Sequence, residues 1–435
     1  MNSTPQWFFR PVPFAKETPS AAAVKHQEGL AHLRSGCCLE AAAALAAAAE
    51  GIEDLPELWT QLGASLVGVD QSLKARACFA RSLALAPRQP EVWNNLGMLL
   101  LHAGENEPAL DAFQRSLTLQ PDLLPARRNA CLALYALGRE TEAEELLPES
   151  SDRSQLRGQA LKERGELEKA TEAYRDAIRL WEKAGDSVPV HAWSPFSRDA
   201  ARSALFEAQA RLDAAGLPFR LWAGTLLGVV RDGDLLAHDK DLDLAMDWDV
   251  SRDAVVAALC AGGLFTVPWF QGILPSDRPW HRSFVHAGTG CTLDVFFLRP
   301  EGEFYFCGFD HRPIPVLSRL TALGQRDLTW KGRTWAVPDP PELYLAEIYG
   351  PTWRVPDPTY DTILSNPTRT AESLPLVVCM AYFRLFEALV EGKWGRAKAL
   401  VSQIRQRRED AFLVDLLSRI EHRSQVPPSG PDQAG

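Results

Sequence analysis

Apolar and small residues recur with a long period in the first part of the chain. Residues 20–182 are rich in Ala, Leu and Glu and poor in Pro. Trp59, Leu62, Gly63, Phe79 and Pro87 return 34 positions later as Trp93, Leu96, Gly97, Phe113 and Pro121. Downstream, Gly138 and Ala143 stand in register with Gly104 and Ala109. Upstream, Gly29, Ala41 and Leu45 stand in register with Gly63, Ala75 and Phe79. A further copy, more closely spaced, holds Gly165, Ala170 and Tyr174. Such a period predicts stacked helix pairs, since one unit cannot bury its apolar face alone. The small residues let helices approach, the aromatics fill the space between pairs, and the proline ends the second helix.

The pattern breaks at 183–197, where two prolines, a glycine and three serines read as a linker. A helix follows from about Arg198 to Ala215, with Ala201, Leu205, Ala208 and Leu212 three or four apart; Gly216-Leu-Pro218 stops it. Next come a strand at Phe219–Trp222, a short helix over 225–231 and a strand from Leu235 to Met246. Ala254–Gly262 reads as another helix. Gly290–Leu298 reads as a strand from its β-branched and aromatic content. Residues 371–423 turn helical again and read as a cap on the preceding domain. The ends, 1–19 and 424–435, read as an extension and a polar, Pro/Gly-rich disordered tail.

Composition narrows the classes. A chain of 435 residues is expected to hold two or three domains. The formal net charge of −10 argues against nonspecific nucleic-acid binding. No apolar run reaches the length of about 18 residues expected of a membrane span. The start, Met1 to Arg10, lacks the basic end and long apolar run of a secretory signal, so a cytoplasmic location is expected. The eight cysteines show no C-x-x-C pair and read as reduced, mostly buried thiols.

The candidate chemistry lies between residues 221 and 298. Asp241 and Asp243 are two apart in a strand and project to one face, while Leu242 and Leu244 point into the core. Asp294 sits in an otherwise apolar strand, a costly place for an unpartnered carboxylate. The two strands are therefore expected to be neighbours, with Asp241, Asp243 and Asp294 gathered around a divalent cation, Mg²⁺ or Mn²⁺. Gly224-Thr225 opens a helix and is expected to hold a phosphate through backbone N–H and hydroxyl groups. Arg231 is either a phosphate clamp or a salt-bridge partner. His281 and Arg282 are expected on the acceptor side. His238, His281 and His286 read more readily as hydrogen-bonded structural histidines than as catalysts.

The repeat positions resemble the tetratricopeptide repeat. The resemblance implies an all-α solenoid over 20–182 with a concave groove for a peptide or partner protein. Residues 198–370 resemble the LicD family, which includes the fukutin-related proteins. The resemblance rests on Gly224-Thr-Leu-Leu-Gly-Val-Val-Arg231, Asp239-Lys-Asp-Leu-Asp243, Thr292-Leu-Asp294 and Tyr349-Gly-Pro-Thr-Trp-Arg-Val-Pro356. It implies an α/β (α+β) nucleotidyltransferase fold following the solenoid, so the chain reads as multidomain. It further implies transfer of a substituted phosphate, such as phosphocholine or a polyol phosphate, from a CDP-linked donor to a glycan or other hydroxyl acceptor. Asp241, Asp243 and Asp294 would hold the metal. His238 and Lys240 depart from the family's usual Trp-Asp-Asp-Asp run. Two other readings stay open: a nucleotidyltransferase that passes a nucleoside monophosphate to a small molecule, and a repeat scaffold with a dormant transferase domain.

Overall fold

The computed structural model describes residues 20–184, 197–237, 241–268, 279–357 and 359–425. The N-terminal extension, most of the linker, most of the C-terminal tail, His238, Asp239 and Lys240 lie outside the described residues.

Five helix pairs form the array. They are α1 (Ala21–Arg34) and α2 (Cys38–Ala49), α3 (Pro56–Val67) and α4 (Ser72–Leu85), α5 (Pro90–His102) and α6 (Asn106–Leu119), α7 (Leu124–Ala136) and α8 (Glu140–Leu146), and α9 (Ser151–Glu163) and α10 (Leu167–Ala184). The recurrent glycines set the packing distance within a pair. A Cβ on Gly63 would lie 2.7 Å from the ring of Phe79, and one on Gly97 would lie 2.6 Å from Phe113. Gly29 faces Leu45 and Gly158 faces Tyr174 in the same way. Trp59 and Trp93 pack between neighbouring pairs and donate their indole N–H groups to Glu53 O and Pro87 O. They do the packing work expected of them.

After α11 (Arg198–Ala214) comes a mixed sheet. Its strands are β1 (Arg220–Leu221), β2 (Asp241–Asp247), β3 (Phe265–Thr266), β4 (His281–His286), β5 (Thr292–Glu301), β6 (Phe304–Phe309) and β7 (Val316–Thr321). The order is β1-β2-β5-β4-β3, and β6 and β7 extend it from the far end of β5. β2 and β5 run parallel; the other pairings are antiparallel. Leu242, Leu244, Leu293, Val295 and Phe284 are buried in one core with Ala201, Leu205, Leu212, Val255 and Leu259 of α11 and α13 (Arg252–Cys260). A short helix, α12 (Ala223–Arg231), packs on the aspartate strand, and the later α14 (Pro341–Tyr349) packs on α12. A hairpin, β8 (Gly324–Trp330) and β9 (Arg333–Asp339), closes the domain against α11 through Phe206, Trp330 and Trp335. The strand expected from Leu235 begins only at Asp241. Residues 234–236 instead cross over α12 at Gly228, where a Cβ would lie 2.7 Å from Asp234 O.

The last helices correct the expected cap. α15 (Leu374–Val390) packs on α10, the final helix of the array, through Tyr174 and Phe383, whose rings are 5.5 Å apart. Trp394, which opens α16 (Trp394–Arg407), lies 6.4 Å from Trp181. The turn between α15 and α16 repeats the array's own closure: Lys393 N donates to Ala388 O, as Glu166 N donates to Leu161 O and Glu105 N to Leu100 O. Gly392 and Ala397 stand in the relation of Gly165 and Ala170. The sheet domain is thus inserted before a sixth, repeat-like pair, and α17 (Ala411–Gln425) follows it.

The turns inside the repeats also dock on the sheet domain. Glu40 accepts from Gly262 N. Asp70 ion-pairs with buried Arg282 at 2.5 Å. Arg312 donates to His102 O at 2.9 Å. Asp70 has φ 62 at a position where Gly36, Gly104, Gly138 and Gly165 stand in other repeats. A non-glycine residue in the left-handed region is uncommon, and Asp is among those that tolerate it. Burial pushes the Asp70 carboxyl up to about 6 even beside Arg282.

Burial pushes the His102 imidazole down to about 4 and His311 down to about 3. Both are bases whose neutral form the fold prefers. Their contribution is therefore present above about pH 6.5 and is lost as acid reaches the folded-state values. Asp70 acts with the opposite sign, so a variant comparison is needed. The loss of urea stability between pH 6.5 and pH 4 is expected to be shallower in His102→Gln/His311→Gln than in the parent chain, at protein concentrations where both fold. Equal slopes would show that neither histidine titrates on unfolding.

Candidate active site

The parallel register pairs Asp243 with Asp294 and Asp241 with Thr292. Asp241, Asp243 and Asp294 therefore share one face of the sheet, as expected from their spacing. Asp241 is exposed, and Asp243 is 9% exposed.

Asp243 is held by the start of α12. Its Oδ2 accepts from Gly224 N at 2.8 Å and from Thr225 N at 3.4 Å. In return, Asp243 N donates to Thr225 Oγ1 at 2.7 Å. The carboxylate thus caps the helix from outside its own sequence, where free N–H groups and the helix dipole favour negative charge. Thr225 is buried, and its hydroxyl faces strand β2. Ala223, just before, has φ 37, an uncommon conformation for a residue with a Cβ. Its N–H donates to Tyr344 Oη at 3.1 Å, and Tyr344 lies against Trp222 with rings 4.1 Å apart. Backbone strain of this kind is often retained at functional sites.

Asp294 has partners on the neighbouring strand β4. Ser283 donates to its Oδ1, and His281 Nε2 lies 3.2 Å from the same oxygen. His281 packs between Phe296 and Phe309, at 5.1 and 5.2 Å. Asp310 then accepts from the backbone N–H groups of Trp280 and His281, at 2.8 and 3.3 Å. His281 lies on the aspartate face, because β4 pairs it with Phe296. Arg282 does not: strand alternation turns it to the other face and onto Asp70 of the array. His286 has a structural role, bonded to Thr289 and 3.4 Å from Glu207.

Arg231 ends α12. It forms a two-point pair with Asp232, at 2.8 and 3.1 Å, and that bond raises its pKa. Seven residues of helix, at about 1.5 Å rise each, separate it from Gly224. Tyr349 meets Tyr360 at a tilt, with ring centroids 4.8 Å apart, and Trp353 is buried with the Arg354 guanidinium over its ring. Among the described residues, no three His, Cys, Asp or Glu side chains are gathered closely enough to hold a metal ion as they stand. The donor chemistry still suits a hard cation: three carboxylates lie on one face.

Residues 216–278 match the family model described as LicD/FKTN/FKRP, nucleotidyltransferase domain, and residues 90–123 match the tetratricopeptide repeat. The first match includes Gly224 to Asp243 and ends before Asp294. The chain thus joins a tetratricopeptide array to a LicD-type nucleotidyltransferase domain. No curated protein matches it. Among solved structures, MamA is similar at 19% identity over 40% of this chain and 98% of that one, with a TM-score of 0.33. YrrB, described as a TPR protein with an unusual peptide-binding site, is similar at 20% identity over 37% of this chain and 87% of that one, with a TM-score of 0.32.

The two strand aspartates should separate cleanly on substitution. Asp243→Ala removes a helix cap and is expected to lower stability by about 1–2 kcal/mol. Asp241→Ala, at an exposed position, should stay within about 0.5 kcal/mol of the parent. Urea titration of both variants checks this, and equal losses would contradict the capping role.

Proposed function

We propose that the sheet domain is a metal-dependent phosphotransferase of the LicD type. It moves a substituted phosphate from a CDP-linked donor to a hydroxyl of a glycan or similar acceptor. The observation that carries this reading is the parallel pairing of Asp243 with Asp294 on the face that also bears Asp241. The family match over 216–278 supports it.

Asp241, Asp243 and Asp294 would hold Mg²⁺ or Mn²⁺, which when bound would offset the charge of the donor's phosphates. Phosphoryl transfer asks a protein mainly for positioning and charge neutralisation. The chain supplies positioning through paired contacts. Gly224 and Thr225 hold Asp243 in place, and Ser283 and His281 do the same for Asp294. Phosphate contact by Gly224 and Thr225 requires Asp243 to turn away from their N–H groups. Asp294, with His281 beside it, would orient or deprotonate the acceptor hydroxyl. Arg231, paired with Asp232 through Nε and one Nη, would offer a phosphate its remaining N–H groups.

The repeat array supports a second role, a partner protein or peptide in its concave groove, because tetratricopeptide arrays present such surfaces. A nucleotidyltransferase reaction and a dormant domain remain the competing readings of the site.

Thermal melting of the full chain with Mn²⁺ and a panel of CDP-alcohols tests the proposal. A donor and metal together are expected to raise the melting temperature of the parent but not of Asp294→Asn. Product analysis should then find CMP and a phosphate ester. Pyrophosphate release would favour nucleotidyl transfer. No response to any donor with metal, together with an unchanged Asp241→Ala variant, would overturn the enzyme reading.

A further inference from the structure

The face that carries the aspartates continues past the end of β4 onto the β6–β7 hairpin. β6 and β4 lie end to end beside β5, since β5 pairs Phe296 with His281 of β4 and Arg299 with Phe306 of β6. Phe309 therefore comes next to His281. Above this extension sits Arg369. Its guanidinium lies 5.7 Å from the Phe309 ring centroid. It donates to Ser318 Oγ at 3.0 Å and, at its exposed edge, to Thr362 O at 2.9 Å.

The charge of Arg369 is poorly matched. It makes no ion pair with a carboxylate among the described residues. Asp361, the carboxylate whose charge acts on it, is bound by Arg384 at 2.6 Å and by the backbone N–H groups of Ile363 and Leu364. Two guanidinium groups thus draw on one carboxylate. The Nε of Arg369 is shielded from solvent and has no hydrogen-bond partner. Burial draws its pKa below the usual arginine value. Holding a desolvated cation without its own counter-charge is costly. A neutral polar side chain could make the same bonds to Ser318 and Thr362 without that cost.

We infer that Arg369 binds an anionic group, a phosphate, of the ligand that occupies the aspartate face. A guanidinium is suited to this, because its remaining N–H groups can engage two phosphate oxygens. The phosphate can belong to the donor or to a phosphorylated acceptor. The inference deepens the transferase reading, but the binding of phosphate does not depend on which reaction follows.

Calorimetric titration of the full chain with inorganic pyrophosphate, in the presence of Mn²⁺, tests it. Arg369→Gln is expected to weaken pyrophosphate binding by about 10- to 100-fold, the effect of losing a charge-assisted hydrogen bond. Arg369→Lys should weaken it less, and cytidine binding should not change in either variant. CDP and a sugar phosphate serve as donor-like and acceptor-like probes, and the one whose affinity depends on Arg369 names the source. Should Arg369→Gln not fold, Ser318→Ala keeps the charge and frees one tether. Unchanged pyrophosphate affinity in both Ser318→Ala and Arg369→Lys then overturns the inference. So does parental affinity in a folded Arg369→Gln, or a parent chain that binds no pyrophosphate. Arg369-dependent pyrophosphate binding with no response to any CDP-linked donor would sink the transferase reading and leave this inference standing.

Discussion

The Asp243 carboxylate at the N-terminus of α12 joins the elements of the site. It fixes the helix start through Gly224 and Thr225, while Thr225 fixes the strand through the Asp243 N–H. Strand and helix can shift only together. Because β2 pairs in parallel with β5, the same constraint sets Asp294 beside Asp243. Backbone N–H groups hold the Asp243 carboxylate, and the side chains of Ser283 and His281 meet that of Asp294.

Around that node the charges are arranged in layers. Asp294 is met by Ser283 and His281, and His281 is seated by two phenylalanines and by Asp310 beneath its backbone. Asp310 belongs to the loop that also carries Arg312, and Arg312 reaches back to His102 of the array. The repeats are therefore built against the site's supporting loop. Asp70 and Arg282 make a second tie, on the opposite face of the sheet. With the sheet domain inserted before a last repeat-like pair, the solenoid contacts it at several turns and closes after it at α15 and α16.

Much of this could be read along the chain. The 34-residue period, the glycine-to-aromatic spacing and the helix pairs are local properties, because each repeat meets only its neighbours. Two-residue alternation likewise places Asp241 and Asp243 on one face, and a carboxylate among apolar residues marks Asp294. Local pattern was weaker where the chain crosses itself. The strand expected from Leu235 starts later because Gly228 lets residues 234–236 lie across α12. The C-terminal helices looked like a separate cap because their small-residue positions match the array only through Gly392 and Ala397.

What the amino-acid order determined by itself was the repeat, the faces of the strands and the kinds of chemistry available. Those depend on period and residue type, which a single segment carries. Tertiary structure decided which groups meet: Asp243 with a helix terminus, Asp294 with Ser283 and His281, Arg282 with Asp70. Among the described residues it also left Arg369 without an ion pair of its own, because Arg384 binds Asp361. These pairings join residues far apart in the chain, and register and loop path set them, neither of which is encoded in any one stretch.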